Sequence, residues 1–217
     1  MTHFTFLDLK DIAEREAFLL NPTTPEKVLA AGRSAGMKPG TRVIDFGCGF
    51  GAALSLWGEQ FGVCGIGIDV RPFACERARR NLTKRGLDER IAVVCADAAA
   101  YVFEPGAYDV AACIGATFIW GGFRPALGQM KRALLNTGRL IVGDVYRRTA
   151  QVPPGGVEQE WLLSESELLE AARSCGLVIE DIARSSEEDW DRYESANWRG
   201  LAQWLRCLLY TSDAADE

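Results

Sequence analysis

Histidine is all but missing from this chain: His3 is the only one in 217 residues. A lone histidine excludes a histidine-built metal site and a Ser-His catalytic triad. Seven cysteines are present, at positions 48, 64, 75, 95, 113, 175 and 207, but no two have the C-x-x-C spacing. Most lie inside apolar runs, which points to buried thiols in a reducing compartment and away from a disulfide framework or a zinc site. No metal is therefore expected. No apolar run approaches the roughly 18 residues needed to cross a bilayer. The first twenty residues carry Asp8, Asp11, Glu14 and Glu16 and lack the basic start of a signal peptide, so a cytoplasmic protein is expected. Positive charge is also short, with 24 Lys and Arg against 30 Asp and Glu and a net charge of −6. An acidic domain is a poor match for a phosphate backbone, so nucleic acid is not an expected partner. Basic residues do gather at Arg71, Arg77, Arg79, Arg80, Lys84 and Arg85, interleaved with Glu76, Asp88 and Glu89. The expectation there is a solvated helix face.

From residue 43 onward, short aliphatic runs alternate with helical stretches. Val43–Phe46, Cys64–Asp69, Ile91–Ala96, Tyr108–Ile114 and Arg139–Gly143 read as buried strands bounded by Gly, Asp or Pro. Ala52–Gln60, Pro72–Arg85 and Arg124–Leu135 read as helices between them. Such alternation implies parallel strands with right-handed crossovers, hence an α/β, doubly wound, Rossmann-like sheet with helices on both faces. Thr24-Pro25 opens a helix before the sheet, as a cap followed by a proline whose missing N–H costs nothing. Gln151–Gly156 reads as a loop. Ser164 and Glu167 make a capping box, and Gly176 stops the helix that follows. Leu177–Ala183 reads as a sixth strand and Glu187–Arg206 as a helix whose Trp190 and Tyr193 face the core.

The strongest signal is Val43-Ile-Asp45-Phe-Gly47-Cys-Gly49-Phe-Gly51. A buried strand runs into three alternate glycines and then a helix. Glycines permit positive φ and let a ligand lie against bare backbone, and the helix start offers free N–H groups. Asp45 falls at the strand end, in the crevice where ligands of α/β folds bind. A carboxylate there suits a ligand carrying an ammonium and a sulfonium. Asp69, followed by Val70, ends the second strand, where an acidic residue can accept from both ribose hydroxyls. Asp97 ends the third and can accept from an adenine amino group, with the Ala98 N–H beside it. The fourth strand ends at Ile114-Gly115.

This ordered set resembles the class I S-adenosylmethionine-dependent methyltransferases over residues 41 to about 186. Asp109–Phe123, Trp190-Asp-Arg-Tyr-Glu194 and Asn21-Pro22 are similar to a bacterial group of uncharacterised methyltransferases related to the ubiquinone/menaquinone-biosynthesis methyltransferases. The resemblance implies S-adenosylmethionine as cofactor, with Asp45, Gly47, Gly49 and Gly51 at its methionine part. Asp69 and Val70 would hold the ribose, Asp97 and Ala98 the adenine, and Ile114 would lie under the methyl group. Thr117, Trp120, Asp144 and Tyr146 follow strands four and five and are the candidates for the methyl acceptor's side, expected to be a small molecule. Asn21 is a candidate for a lid over the cofactor. Two other readings compete: a nicotinamide-binding oxidoreductase, from Gly47-x-Gly49-x-x-Ala52, and a noncatalytic S-adenosylmethionine-binding protein.

Four segments are expected: capping helices in 1–40, the cofactor-binding core in 41–186, a C-terminal helix in 187–206, and a tail in 207–217. Cys207–Glu217 resembles the translation of a sequencing-library adapter. A truncated gene is thus expected, with the seventh, antiparallel strand of the family missing, and a tail that is a frayed helix extension or coil. The sixth strand is then left without its natural partner, or the fifth with an exposed edge.

Overall fold

A computed structural model describes residues 4–149 and 162–213, with side chains to residue 208. Five strands form one sheet: β1 (Arg42–Phe46), β2 (Cys64–Asp69), β3 (Ile91–Cys95), β4 (Tyr108–Ile114) and β5 (Leu134–Gly143). Their order is β3-β2-β1-β4-β5 and every pairing is parallel. The chain therefore starts in the middle of the sheet and winds outward in both directions. The carboxyl ends of β1 and β4 meet at the switch point, where such sheets open a crevice.

Seven α-helices accompany the strands: α1 (Phe6–Ala13), α2 (Pro25–Ser34), α3 (Ala52–Phe61), α4 (Pro72–Lys84), α5 (Phe123–Ala133), α6 (Glu165–Ser174) and α7 (Glu187–Asp213). Local chemistry sets several starts. Thr24 accepts the Lys27 N–H with Pro25 at the first helical position. Ser164 and Glu167 cap α6 reciprocally. At the start of α1, Thr5 and Asp8 form a capping box.

Side chains alternate across the sheet, as the period of two demands. Val43, Val110 and Ala112 pack with Leu54 and Trp57 of α3, Val28 of α2 and Leu82 of α4. Ile44, Phe46, Ala111 and Cys113 pack on the other face with Met130 of α5. Trp57 is fully buried and donates its indole N–H to the Val28 carbonyl at 2.8 Å, which satisfies the one polar atom it takes inside. Of the cysteines, Cys48, Cys75 and Cys113 are buried; Cys64 and Cys175 are half-buried, and Cys95 and Cys207 exposed, so the expectation of buried thiols holds for three of the seven.

Three sequence expectations need correction. Leu177–Ala183 is not a strand. Its side chains alternate half-buried and exposed over 177–180, and Arg139 of β5 pairs with Glu180 at 2.9 Å, but no backbone ladder forms among the described residues. Val178 is 86% exposed. A strand exists only through a partner for its N–H and C=O groups, and among the described residues β5 stands at the edge of the sheet. Secondly, α5 stops at Ala133 and β5 begins at once. Leu134 pairs with Tyr108 and Arg139 with Val110, so residues 135–138 oppose only Asp109. Asn136-Thr137-Gly138 supplies the turn chemistry for this bulge. Thirdly, the C-terminal helix does not end at Arg206: α7 continues unbroken to Asp213, so the first part of the tail is a helix extension, one of its two expected forms. Residues 214–217 and the loop 151–156 lie outside the described residues.

The two terminal helices are docked on each other by a close approach. A Cβ on Gly200 of α7 would stand 2.4 Å from the Ala13 carbonyl oxygen of α1. Phe4 and Trp204 meet edge to face at 5.1 Å beside it. Gly200→Ala is therefore predicted to cost about 1–3 kcal/mol by forcing the backbones apart. Urea unfolding and amide exchange in residues 6–13 measure it. Unchanged stability together with unchanged exchange in α1 would show that this contact does not hold the helix.

Candidate functional site

A cavity of about 480 Å³ opens over the carboxyl ends of β1, β2, β3 and β4. Asp45, Gly47, Gly49, Asp69, Val70, Asp97, Ala98 and Ile114 all line it, brought together from four strands as their positions in the sequence implied. Asn21 also lines it. Gly51 does not. It has φ +69° as the residue preceding α3, and a Cβ there would press on Ala78 at 3.1 Å. Its service is to the turn and to packing.

Asp45 is 4% exposed, and its carboxyl group has no hydrogen-bond partner among the described residues. Burial, with the charge of Asp69 as a smaller contribution, pushes its pKa up to about 8. An unpartnered buried carboxyl that faces a cavity fits a cationic group of a ligand. Asp69 is held differently. Its Oδ2 accepts the Gly49 N–H at 2.9 Å and its Oδ1 accepts the Arg71 N–H at 2.9 Å. Each oxygen keeps a lone pair for a ligand hydroxyl. Asp97 is exposed and lines the cavity, and its Oδ1 accepts the Ala99 N–H at 2.9 Å, a turn contact that leaves Oδ2 without a partner among the described residues. Gly47 and Gly49 have φ of +72° and +53°. A Cβ on Gly49 would stand 2.7 Å from Leu20 Cδ1, so only glycine lets the N-terminal segment close over the loop.

That segment forms the roof. Arg77 donates to the carbonyls of Arg15 and Ala17 and lies 4.1 Å over the Phe50 ring. Asn21 donates to the Ile114 carbonyl at 3.3 Å. Arg71 reaches Glu14 at 2.7 Å, Asp11 at 3.2 Å and Asp69 at 3.6 Å, with its side chain 12% exposed. Arg71 and Arg77 thus correct the expectation that the basic cluster is a solvated face. Arg80–Glu76 and Arg85–Glu59 are surface pairs as expected. Sequence reasoning also missed Lys10, Glu14 and Tyr193, all of which line the cavity. Tyr193 was assigned to the core. The acidic spacing of Asp8, Asp11 and Glu14 was the available signal for a helix with one charged face.

None of the four acceptor-side candidates lines the cavity, and each has another partner. Thr117 is buried and donates its hydroxyl to Asp144, tying the loop after β4 to the end of β5. Asp144 also accepts the Val145 N–H at 2.7 Å. Trp120, in a short 3-10 turn over Thr117–Trp120, stacks edge to face on Phe46 at 5.1 Å. Tyr146 sits in a separate surface groove with Arg147, Ser164 and Arg184.

With this geometry in hand, the comparisons with known proteins are decisive. A methyltransferase domain model matches residues 43–138. YjhP of Escherichia coli, itself uncharacterized, is 35% identical over 200 residues, covering 89% of this chain and 80% of that protein; its crystal structure aligns with TM-score 0.85. An S-adenosylmethionine-dependent methyltransferase from Geobacter sulfurreducens, solved with S-adenosylhomocysteine, is 31% identical with TM-score 0.85, covering 95% of this chain and 84% of that one. The chain belongs to the S-adenosylmethionine-dependent methyltransferases. A methyltransferase from Thiobacillus denitrificans, also solved with S-adenosylhomocysteine, is 29% identical with the same TM-score and covers 84% of that chain. The oxidoreductase reading is thereby set aside. Among the described residues, no helix is long and apolar enough to cross a membrane.

The state of Asp45 makes stability depend on pH. Its folded-state pKa, about 8, lies above the ordinary value of 3.8. The folded chain therefore favours the protonated carboxyl. The contribution is fully present below the unfolded value and is lost as pH rises through about 8. Asp45→Asn is predicted to flatten the fall in Tm of the ligand-free protein between about pH 4 and 8. An equally steep fall in the variant would contradict the assignment.

Proposed function

We propose that the cavity holds S-adenosylmethionine along the ends of β1, β2 and β3, and that the methyl acceptor is a small molecule admitted beneath the N-terminal roof. The observation that carries this reading is the buried, unpartnered Asp45 carboxyl set between the glycine loop and the carboxylates of Asp69 and Asp97. Asp45 would face the ammonium of the methionine part, with Gly47 and Gly49 giving it bare backbone. Asp69 would take the ribose hydroxyls, Val70 and Ala98 would flank the adenine, and Asp97 would accept from its amino group. Ile114 would lie near the transferred methyl.

When bound, the cofactor supplies an electrophilic methyl group on a sulfonium. The chain's task is then alignment and exclusion of water, and proximity alone can contribute roughly 7–11 kcal/mol. The roof serves both ends. Arg71 and Arg77 pin it to the start of α4, and Phe6, Leu7 and Lys10 of α1 line the cavity.

Titration calorimetry with S-adenosylhomocysteine and with NAD tests the reading. S-adenosylhomocysteine is expected to bind and NAD not to. Asp69→Ala is predicted to weaken S-adenosylhomocysteine by more than about 1 kcal/mol, because charge-assisted hydrogen bonds are removed. Unchanged affinity in that variant would sink the ribose assignment.

A further inference from the structure

The polar side chains of the cavity divide cleanly by what already holds them. Asp45, Asp69 and Asp97 stand at the strand ends and belong to the cofactor in the reading above. Asn21 is spent, since its Nδ2 donates to the Ile114 carbonyl and its Oδ1 accepts the Thr23 N–H at 3.2 Å. Glu14 is 2% exposed and clamped between Lys10 at 2.5 Å and Arg71 at 2.7 Å. Tyr193 differs. Its hydroxyl oxygen accepts a long hydrogen bond from Lys10 Nζ at 3.4 Å, and its own proton has no acceptor among the described residues. The hydroxyl belongs to a residue that lines the cavity, and beside Lys10 the wall that α1 and the turn after β4 contribute includes the apolar Phe6, Leu7, Phe118 and Ile119. Phe6 and Phe118 are 74% and 71% exposed, an apolar rim continuous with the cavity wall.

We propose that Tyr193, held by Lys10, orients the methyl acceptor by donating its hydroxyl proton, and that the acceptor is an apolar molecule presenting one oxygen function. The proposal rests on the cofactor occupying the strand ends. An ammonium that donates to a phenol oxygen polarises the phenol O–H and strengthens the bond it gives. Glu14 fixes that ammonium, and Arg71 fixes Glu14, so the donor's position is tied back to Asp69 at the cofactor end. Apolar walls with a single placed polar group are the usual construction of a small-molecule pocket, in which area supplies affinity and the polar group sets orientation. The Tyr193 ring packs edge to face on Trp190 at 6.4 Å, so Tyr193→Phe removes the hydroxyl and keeps the packing.

The test uses protein saturated with S-adenosylhomocysteine and two probes of one shape, 2-naphthol and naphthalene, measured by equilibrium dialysis. Replacing Tyr193 by Phe is expected to lower the preference for 2-naphthol over naphthalene by about fivefold, the scale of one net hydrogen bond. Naphthalene and S-adenosylhomocysteine affinities are expected to stay within twofold. Lys10→Met should lower the same preference in part. Phe118→Asp should weaken both probes about tenfold while the preference survives. A preference that Tyr193→Phe leaves intact, or failure of both probes to bind the wild type, overturns the proposal. Failure of the wild type to bind S-adenosylhomocysteine is read in the preceding titration and overturns the cofactor reading itself.

Discussion

Asp69 joins three parts of the molecule through one carboxylate. Its Oδ2 holds the Gly49 N–H and so fixes the glycine loop after β1. Its Oδ1 holds the Arg71 N–H, which sets the entry into α4, and lies 3.6 Å from the Arg71 side chain. Through that guanidinium the carboxylate also reaches Asp11 and Glu14 of the roof. Charge-assisted bonds of this kind are the strong ones in a partly buried setting. The loop, the helix and the roof are therefore placed by one group, itself at the end of an interior strand paired on both sides. Any ligand hydroxyl that bonds to Asp69 meets a carboxylate already oriented.

Asp45 represents the opposite arrangement one strand away. No described residue satisfies it, and burial, with the charge of Asp69, makes its ionisation costly. Folding tolerates such a group because the protonated form avoids most of the desolvation penalty. A cationic ligand reverses the balance, since pairing favours the charged carboxylate. The two aspartates thus divide the work, with one building the cradle and the other kept in reserve for what enters it.

Much of this was legible in the sequence, and the reason is locality. β2 and β4 begin and end where their aliphatic runs meet Gly, Asp or Pro, and the caps at Thr24 and Ser164 announce their helices within four residues. The strand-end aspartates follow from the same reading, since a strand of a parallel sheet places its last side chains in the crevice. What escaped is nonlocal. Arg71 and Glu14 are 57 positions apart, and no pattern in either neighbourhood predicts their pairing. Tyr193 has the spacing of a core residue but lines the cavity, on a helix that lies against α1 at Gly200. The bulge at 135–138 sits where helix and strand patterns overlap. Leu177–Ala183 has strand composition, but composition does not provide a partner. Thr117, Trp120, Asp144 and Tyr146 were placed by their strand numbers alone. The side-chain directions that took them to each other, to Phe46 and to the surface are set by packing.

The central claim is that an uncharged, buried Asp45 becomes the anionic partner of the cofactor's ammonium. Proton linkage measures it most directly. S-adenosylhomocysteine is titrated calorimetrically at pH 6.5 in buffers of different ionisation heat. At that pH the ligand's α-amino group, with an ordinary pKa of about 7.7–8.0, is already charged. Asp45, with its pKa raised to about 8, is mostly protonated. Binding to the wild type should therefore release about one proton, and binding to Asp45→Asn about none. Equal proton counts for the two proteins would contradict the account.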